Sequence, residues 1–512
     1  MTQDSSQTWL GRVPWAPWIA LAGIESFGLF LRVHNLRAET PWCDEVVSLN
    51  CLDSPDLATF LHEYHKSDPP MQPVYFTIEY FWAKATGGSV VAMRWLSVAF
   101  GILSMAMLFL VGRAIFGNAA GLVAAICLAI SMPHVYYSQE IRNYALTSLM
   151  TLVAAYTFLR GLETAQRRWW AANVAANAAL VGTHLFGAGF LLVQGVFLLV
   201  RRWRAPKWIA LWVVANVVAL LPCYLWARLI NIGHIAKWAS IFGYPSLRDF
   251  ANFLVVFTGA RISNWNPAPL LPHGVSLDLP LAALVYGGIA CFVGHALWRR
   301  RRNNGRANAV FSETDAIAFL CLWLIVPLAA LYVASYVLQP CFQYRYILYT
   351  LLAVCLLMGG ALAALPGRRS RAIIGGALVA MYGYQLLALT GGPLRADMQA
   401  AAACVAQKGA PRDLVLVFKD WNASSFRFSS SHPDDRIVYI EPFGDLVHVT
   451  EEAHARDEGV WVIMHLWEHP EWLGSEYRKR GLVFTEQRFG RWPFVHVFHV
   501  PASGPEATAT AP

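Results

Sequence analysis

Residues 90–111 read VVAMRWLSVAFGILSMAMLFLV, a run whose single charge, Arg94, sits near one end. At about 1.5 Å of rise per residue, a helix of this length matches the roughly 30 Å hydrocarbon core of a bilayer. The run has no polar face, so a surface helix of a soluble domain is a poor account of it. Ten more runs of the same texture surround it, near 16–33, 119–136, 143–161, 169–184, 185–200, 207–227, 278–297, 316–337, 346–365 and 371–390. Thr183-His184 is the only break between the fifth and sixth. Composition agrees: 56% of the 512 residues are hydrophobic and 14% are charged, where soluble domains carry about a quarter. The expected fold is a polytopic α-helical membrane protein with about eleven transmembrane helices and a small C-terminal α/β domain.

Charge placement orients the spans. Arg113 lies between the second and third; Arg160, Arg167 and Arg168 between the fourth and fifth; Arg201, Arg202, Arg204 and Lys207 before the seventh. Arg299–Arg302 and Arg306 follow the eighth, and Arg368, Arg369 and Arg371 separate the last two. These are alternate connections, so all share one side, the cytoplasmic one. The N-terminus is then cytoplasmic. The loop 34–89, the turn Pro133–Arg142, the loop 228–277, the connection Leu338–Tyr344 and everything past about residue 392 lie outside. The net charge of +8 is spread over these clusters rather than gathered into a patch, which argues against nucleic acid as a partner. The first run lacks a small-residue cleavage site and reads as a retained helix.

The expected division is 1–392 as the membrane domain, 393–500 as an external domain and 501–512 as a low-complexity disordered tail. Within the second, Leu414–Phe418, Ile437–Ile440, Val460–Met464, Leu482–Phe484 and Phe494–Val500 read as strands of a mixed sheet. Leu446–Arg456 reads as helix, and Gly490–Pro493 as the turn of a terminal hairpin. Four of the nine cysteines, Cys127, Cys291, Cys321 and Cys355, lie inside apolar runs, where Cys acts as a small hydrophobe. Cys43 and Cys51 share the first loop, as a disulfide or as two thiols.

Residues that bear chemistry collect in the external segments. Trp42-Cys43-Asp44-Glu45 follows the first span; a Trp at interface depth would hold the acids against the bilayer, where partial desolvation raises a carboxylate's pKa and suits it to act as a base. An acidic external loop is the plainer account of an isolated Asp-Glu pair. Arg94, Arg142 and Arg345 stand on the outer side against the charge trend. Snorkelling explains any one of them; three beside external acids point to an anionic ligand, a lipid phosphate above all. His62, His65 and Asp68 have metal-ligand chemistry, although a polar loop face accounts for them more simply. Metal dependence therefore stays open, and no metal site is assigned. Glu25 is an intramembrane acid, a site candidate by position or a neutral buried hydrogen-bonding group.

Three segments together resemble the polyprenyl-phosphate-sugar glycosyltransferases of the GT-C superfamily, in the branch of the protein O-mannosyltransferases and the aminoarabinose transferase of lipid A. They are Trp42–Glu45, the stretch from Asp68 and Tyr75 through Arg94-Trp95-Leu96-Ser97, and Tyr137-Ser138-Gln139-Glu140-Ile141-Arg142-Asn143-Tyr144-Ala145-Leu146, the most specific of the three. Pro340–Tyr346, containing Arg345, adds a weaker match. The resemblance covers residues 15–160 well and the remaining spans in topology only. It implies an integral enzyme of the bacterial cytoplasmic membrane that moves a sugar, with inversion, from a polyprenyl-phosphate carrier to a glycolipid, polysaccharide or protein on the outer face. It assigns Asp44 as general base with Glu45 in support. Arg142, Arg345, Tyr144 and Arg94 are candidates for the donor phosphate; Trp42, Asp68, Tyr75, Gln139 and Glu140 for substrate contact. Where relatives carry His-Pro-Pro-Leu-Tyr-Tyr, this chain has Met71-Gln72-Pro73-Val74-Tyr75-Phe76, so a histidine is missing there. A transporter or flippase of lipid-linked precursors, and a non-catalytic assembly relative, are the competing readings; polar groups gathered in loops on one face rather than at mid-membrane disfavour the first.

Overall fold

The computed structural model describes residues 15–67, 72–202, 206–228, 243–259, 277–302, 312–390, 397–418, 420–441, 443–465, 470–490 and 494–502. Asp68, Met71, Arg204, Lys237, Arg261, Trp265, Arg306, the turn residues 491–493 and the tail from 503 lie outside them. Contacts divide the chain into two compact units, Met1–His34 with Cys51–Leu387, and Asn35–Asn50 with Ala388–Pro512. The segment carrying Asp44 and Glu45 thus groups with the C-terminal domain.

The first unit is a helical bundle. Eleven long helices occupy the eleven apolar runs: α1 Ala16–Val33, α2 Val90–Phe116, α3 Asn118–Ala129, α4 Tyr144–Thr164, α5 Arg167–Thr183, α6 Ala188–Arg202, α7 Pro206–Ala227, α8 Asp278–Arg302, α9 Glu313–Val337, α10 Thr350–Ala364 and α11 Arg368–Thr390. Six of them, α1, α2, α4, α7, α8 and α9, are long and apolar enough to cross a membrane by length and composition; α3, α10 and Leu185–Arg201 are apolar but shorter. The long first connection is itself helical, with Cys43–Cys51, Leu57–Ser67 and Pro73–Thr86. Pro73 opens the last of these and Gly87, at φ 81°, closes it in the left-handed conformation that an L side chain resists.

Helix α5 explains its own weak hydropathy. Asn173 and Asn177 are fully buried, and their amides tie four helices together. Asn177 Nδ2 donates to Gln194 Oε1 on α6 (3.1 Å) and to Asn216 Oδ1 on α7 (2.8 Å), while Gln194 Nε2 donates back to Asn177 Oδ1 (3.0 Å). Trp212 Nε1 donates to Asn173 Oδ1 (3.0 Å), and Asn173 Nδ2 to the carbonyl of Ala154 on α4 (3.1 Å). In a low-dielectric interior such amides hold helices together because no solvent competes for them. They are polar by design of the interior, and the outward hydropathy signal suffers for it.

The run 119–136 was expected as one span; the helix instead stops at Ala129 and restarts as Met132–Tyr137, with Pro133 in the new first turn. Proline cannot continue the preceding ladder, and it leaves carbonyls at the end of α3 without helical partners. Arg32, fully buried near the end of α1, answers them with all its N–H groups. Nη1 donates to the carbonyls of Gly28 (2.9 Å) and Ala129 (3.1 Å), Nη2 to the carbonyl of Leu128 (3.2 Å) and to His134 Nδ1 (2.8 Å), and Nε to Ser138 Oγ (3.3 Å).

The second unit holds a five-stranded mixed sheet of order β2-β1-β3-β5-β4, with β1 Leu414–Phe418, β2 Ile437–Ile440, β3 Val460–His465, β4 Thr485–Phe489 and β5 Val495–Val500. β1 pairs parallel with β2 and β3; β5 pairs antiparallel with β3 and β4. β1 is buried along its whole length, as a central parallel strand covered on both faces must be. Met398–Lys408 and Asp420–Ser429 pack on one side, Phe443–Ala455 and Pro470–Lys479 on the other. The expected strand at Leu482–Phe484 is displaced to Thr485–Phe489: Leu482 and Phe484 are core side chains packed against Tyr477 and Phe498 rather than ladder residues.

Two substitutions test these interiors. Asn177→Ala leaves Gln194 and Asn216 without their shared partner, and should lower stability by about 1–2 kcal/mol, read as a lower melting temperature in detergent. Arg32→Lys keeps the charge but cannot reach five acceptors, and should cost about 2–4 kcal/mol in the same measurement; an unchanged melting temperature would remove Arg32 from this role.

Candidate functional site

Three short connections meet at one end of the helical unit. They are the turn 138–143 before α4, the 3-10 turn Leu185–Gly187 between α5 and α6, and the 3-10 turn Tyr344–Ile347 before α10. Side chains of one satisfy backbone of the next. Asn143 Nδ2 donates to the carbonyl of Thr183 (2.8 Å), and Tyr349 Oη to the carbonyl of Phe186 (2.8 Å). The rings of Phe186 and Tyr346 stack at 5.0 Å with planes 6° apart, and the hydroxyls of Tyr137 and Tyr344 share a 2.9 Å hydrogen bond.

The first turn is anchored to α1. Gln139 Nε2 donates to the carbonyls of Arg32 (3.0 Å) and His34 (2.7 Å), and Ser138 receives the Arg32 Nε–H described above. A Cβ at Gly101 of α2 would collide with Ser138 Oγ, so glycine lets this turn sit against the helix. Gln139, Glu140 and Arg142 are all buried.

Arg142 is 2% exposed; its Nη1 donates to Tyr64 Oη (3.0 Å), and its carbonyl accepts from Ser97 Oγ (3.4 Å). Tyr64 is packed on Phe76 at 4.1 Å. Around it, Tyr75, Glu79 and Arg94 are also buried. Burial, and then the Glu79 carboxylate, push the Tyr75 phenol well above its usual range, with Arg142 acting weakly the other way. Arg345 is half-buried with its guanidinium 5.5 Å from the Tyr346 ring centre. Tyr144, at the start of α4, meets Tyr137 edge-on at 4.8 Å. The structure thus places Arg142, Arg345, Tyr144, Tyr75, Gln139, Glu140 and Arg94 in one unit, with Arg142 and Arg94 buried and Arg345 half-buried.

His184 was not among the expected site residues, although it forms the break noted between two apolar runs. It follows α5, is 9% exposed, and caps the 3-10 turn Leu185–Gly187, its Nδ1 accepting from the Phe186 N–H at 3.2 Å. Its ring lies 6.0 Å from that of Tyr144 and 5.6 Å from that of Tyr346. Burial, then Arg142 and Arg345, push the imidazole far below the usual histidine range, so it is neutral.

Trp42, Asp44 and Glu45 belong to the second unit, at the start of the helix Cys43–Cys51. Glu45 is fully buried; its Oε2 accepts from the Trp42 N–H (3.4 Å) while its own N–H donates to the Trp42 carbonyl (2.9 Å). That is a helix-capping contact, and both acids sit where the helix dipole favours negative charge. Asp44 is half-buried, with Cys43 Sγ 3.6 Å from its Oδ1. Cys43 and Cys51 are free thiols; they sit at opposite ends of a straight helix, about 12 Å apart by its rise, beyond disulfide reach. His62 and His65 lie on Leu57–Ser67, and His65 meets Trp226 edge-on at 5.4 Å. No cluster of three or more metal-ligating side chains occurs among the described residues. Glu25 is half-buried in α1, away from these turns.

Comparison with known proteins follows the same lines. Residues 67–226 match the family model described as dolichyl-phosphate-mannose-protein mannosyltransferase. Among the curated proteins, no sequence matches. ArnT from Cupriavidus metallidurans, solved bound to undecaprenyl phosphate, superposes with a TM-score of 0.54 at 15% identity, over 98% of this chain and 100% of that one. Its apo form gives 0.53 at 16% identity, over 95% and 98%. The oligosaccharyltransferase AglB from Archaeoglobus fulgidus, in complex with an inhibitory peptide and a dolichol-phosphate, gives 0.51 at 11% identity, over 96% of this chain and 74% of that one. The chain has the fold of these GT-C membrane glycosyltransferases, as the three sequence segments led one to expect.

Proposed function

We propose that the protein is an integral membrane glycosyltransferase that takes a sugar from a polyprenyl-phosphate carrier and passes it, with inversion, to a hydroxyl acceptor outside the cytoplasm. The observation that carries the reading is the pairing of Arg142 and Arg345 at one end of the bundle, joined through the Thr183–Phe186 turn. A buried and a half-buried guanidinium among phenols suit a phosphate, and a lipid phosphate reaches such a place from the bilayer. The family match and the shared fold support the same class of donor.

In this scheme the acceptor oxygen attacks the anomeric carbon from the face opposite the phosphate. The bond from that carbon to the phosphate oxygen breaks, the acceptor's proton passes to Asp44, and the lipid phosphate departs with its new charge on Arg142 and Arg345. Asp44 suits the base because it is the more accessible acid; Glu45 is committed to its cap and supports the helix. Tyr144 and Arg94 line the phosphate side, and Trp42, Tyr75, Gln139 and Glu140 the substrate, with Asp68 assigned by resemblance alone. The acceptor is a glycolipid, a polysaccharide or a protein. Arginines in alternate connections support a cytoplasmic N-terminus and an external C-terminal α/β domain beyond about residue 392, in a bacterial cytoplasmic membrane.

Turnover of a panel of polyprenyl-phosphate sugars by the purified protein tests this. Asp44→Asn should lower kcat by roughly 10²–10⁴-fold, the usual contribution of a general base. Arg142→Ala and Arg345→Ala should each raise the donor KM about 10-fold or more. Equal turnover by Asp44→Asn would remove that residue from the chemistry; coupled flux in liposomes without any turnover would favour a transporter.

A further inference from the structure

His184 has a position and a hydrogen-bonding state that capping a helix does not require. The residue before it gives its carbonyl to Asn143, the neighbour of Arg142, and two residues after it Phe186 stacks on Tyr346, the neighbour of Arg345. The imidazole therefore stands between the two arginine-bearing turns, with the rings of Tyr144 and Tyr346 at 6.0 and 5.6 Å. The Phe186 N–H points at Nδ1, so Nδ1 carries the lone pair and the proton of the neutral ring is on Nε2. The ring is nine-tenths buried, and the hydrogen bond its side chain makes among the described residues is the one Nδ1 accepts from Phe186, which leaves Nε2–H to donate elsewhere.

We propose that His184 is a third ligand of the donor phosphate, its Nε2–H donating to a phosphate oxygen held between Arg142 and Arg345. This rests on the reading of those arginines as the phosphate site. A neutral donor is the fitting choice at that point. A third cation would repel the other two across a low-dielectric gap, whereas an N–H adds a directed hydrogen bond without adding charge. The bond strengthens as the leaving phosphate gains negative charge, so it acts on the reaction as well as on binding. The amino acid type follows from the geometry: one nitrogen must accept the Phe186 N–H at the start of the 3-10 turn and the other must face the ligand, and an imidazole offers both at fixed separation.

Binding of undecaprenyl phosphate to the full-length protein in detergent tests this, with undecaprenol and inorganic phosphate run alongside. His184→Asn retains an acceptor for the Phe186 N–H, since an Asn side-chain oxygen accepts from the amide two residues on, but it lacks the far donor. It should keep the wild-type melting temperature and bind undecaprenyl phosphate about 10-fold more weakly, the ordinary worth of a hydrogen bond to a charged group. Binding of undecaprenol should not respond to the change. His184→Gln, which carries an amide N–H at about the depth of Nε2, should recover affinity to within about 3-fold. Wild-type affinity in a folded His184→Asn would overturn the proposal and leave His184 a cap. Absence of any undecaprenyl phosphate binding by the wild type would overturn it together with the reading of Arg142 and Arg345. Inorganic phosphate bound as tightly as the lipid, with the same dependence on His184, would support the ligand role and overturn its assignment to a lipid.

Discussion

A carbonyl at the end of a helix that stops inside an apolar bundle has no water to turn to, and leaving it bare costs several kcal/mol. Helix ends at the functional end of the bundle meet that demand with side chains borrowed from neighbouring turns. Arg32 serves Leu128 and Ala129, Gln139 serves Arg32 and His34, Asn143 serves Thr183, and Tyr349 serves Phe186. Each such bond also joins two elements that are distant in sequence. Satisfying the backbone and assembling the site are therefore one and the same set of contacts, and the arginines arrive at their positions as a consequence.

The same economy separates the two acids of the Asp44-Glu45 pair. Glu45 reaches back to the Trp42 N–H and is buried; Asp44 keeps its accessibility. An adjacent acidic pair in a sequence invites a shared catalytic role, yet the helix Cys43–Cys51 uses its third residue to cap itself, as capped helices ordinarily do. Polarity elsewhere in the bundle divides in a similar manner. The amides of Asn173, Asn177, Gln194 and Asn216 bind one another and carry no titratable group, so they hold helices together without offering a path for charge. The titratable groups Arg142, Arg345, His184, Glu79 and Glu140 lie instead among the connections and the helices beside them.

Much of this was legible in the residues. Apolar texture marked the places of all eleven helices, six of which are continuous and apolar over a bilayer's thickness. The motif Tyr137–Leu146 marked the turn that carries Arg142, and short β-rich runs marked four of the five strands of the C-terminal sheet to within a residue or so. The misses have physical causes. Pro133 breaks the third run, yet apolar composition continues across the break and hides it. Leu482 and Phe484 have strand-like character because they pack half-buried against the core, not because they pair. The helices of the loop 34–89 are short and mostly amphipathic, and nothing in a polar loop announced them.

What the amino-acid sequence determined by itself was the class of the molecule: the places of its apolar helices, the distribution of its arginines among their connections, and the residue types available for charged chemistry. These are local or additive properties, set by transfer energies and charge, and they can be summed along a chain. Tertiary structure alone decided which polar residues serve as scaffolding. It made Arg32 a clamp and Glu45 a cap, and it set His184 between Arg142 and Arg345. The Arg32 clamp and the tie between the turns depend on hydrogen-bond partners a hundred or more residues apart, such as Arg32 with His134 or Tyr349 with Phe186. A directed bond of a few ångströms leaves no trace in composition or periodicity, so it becomes visible only once the helices have packed.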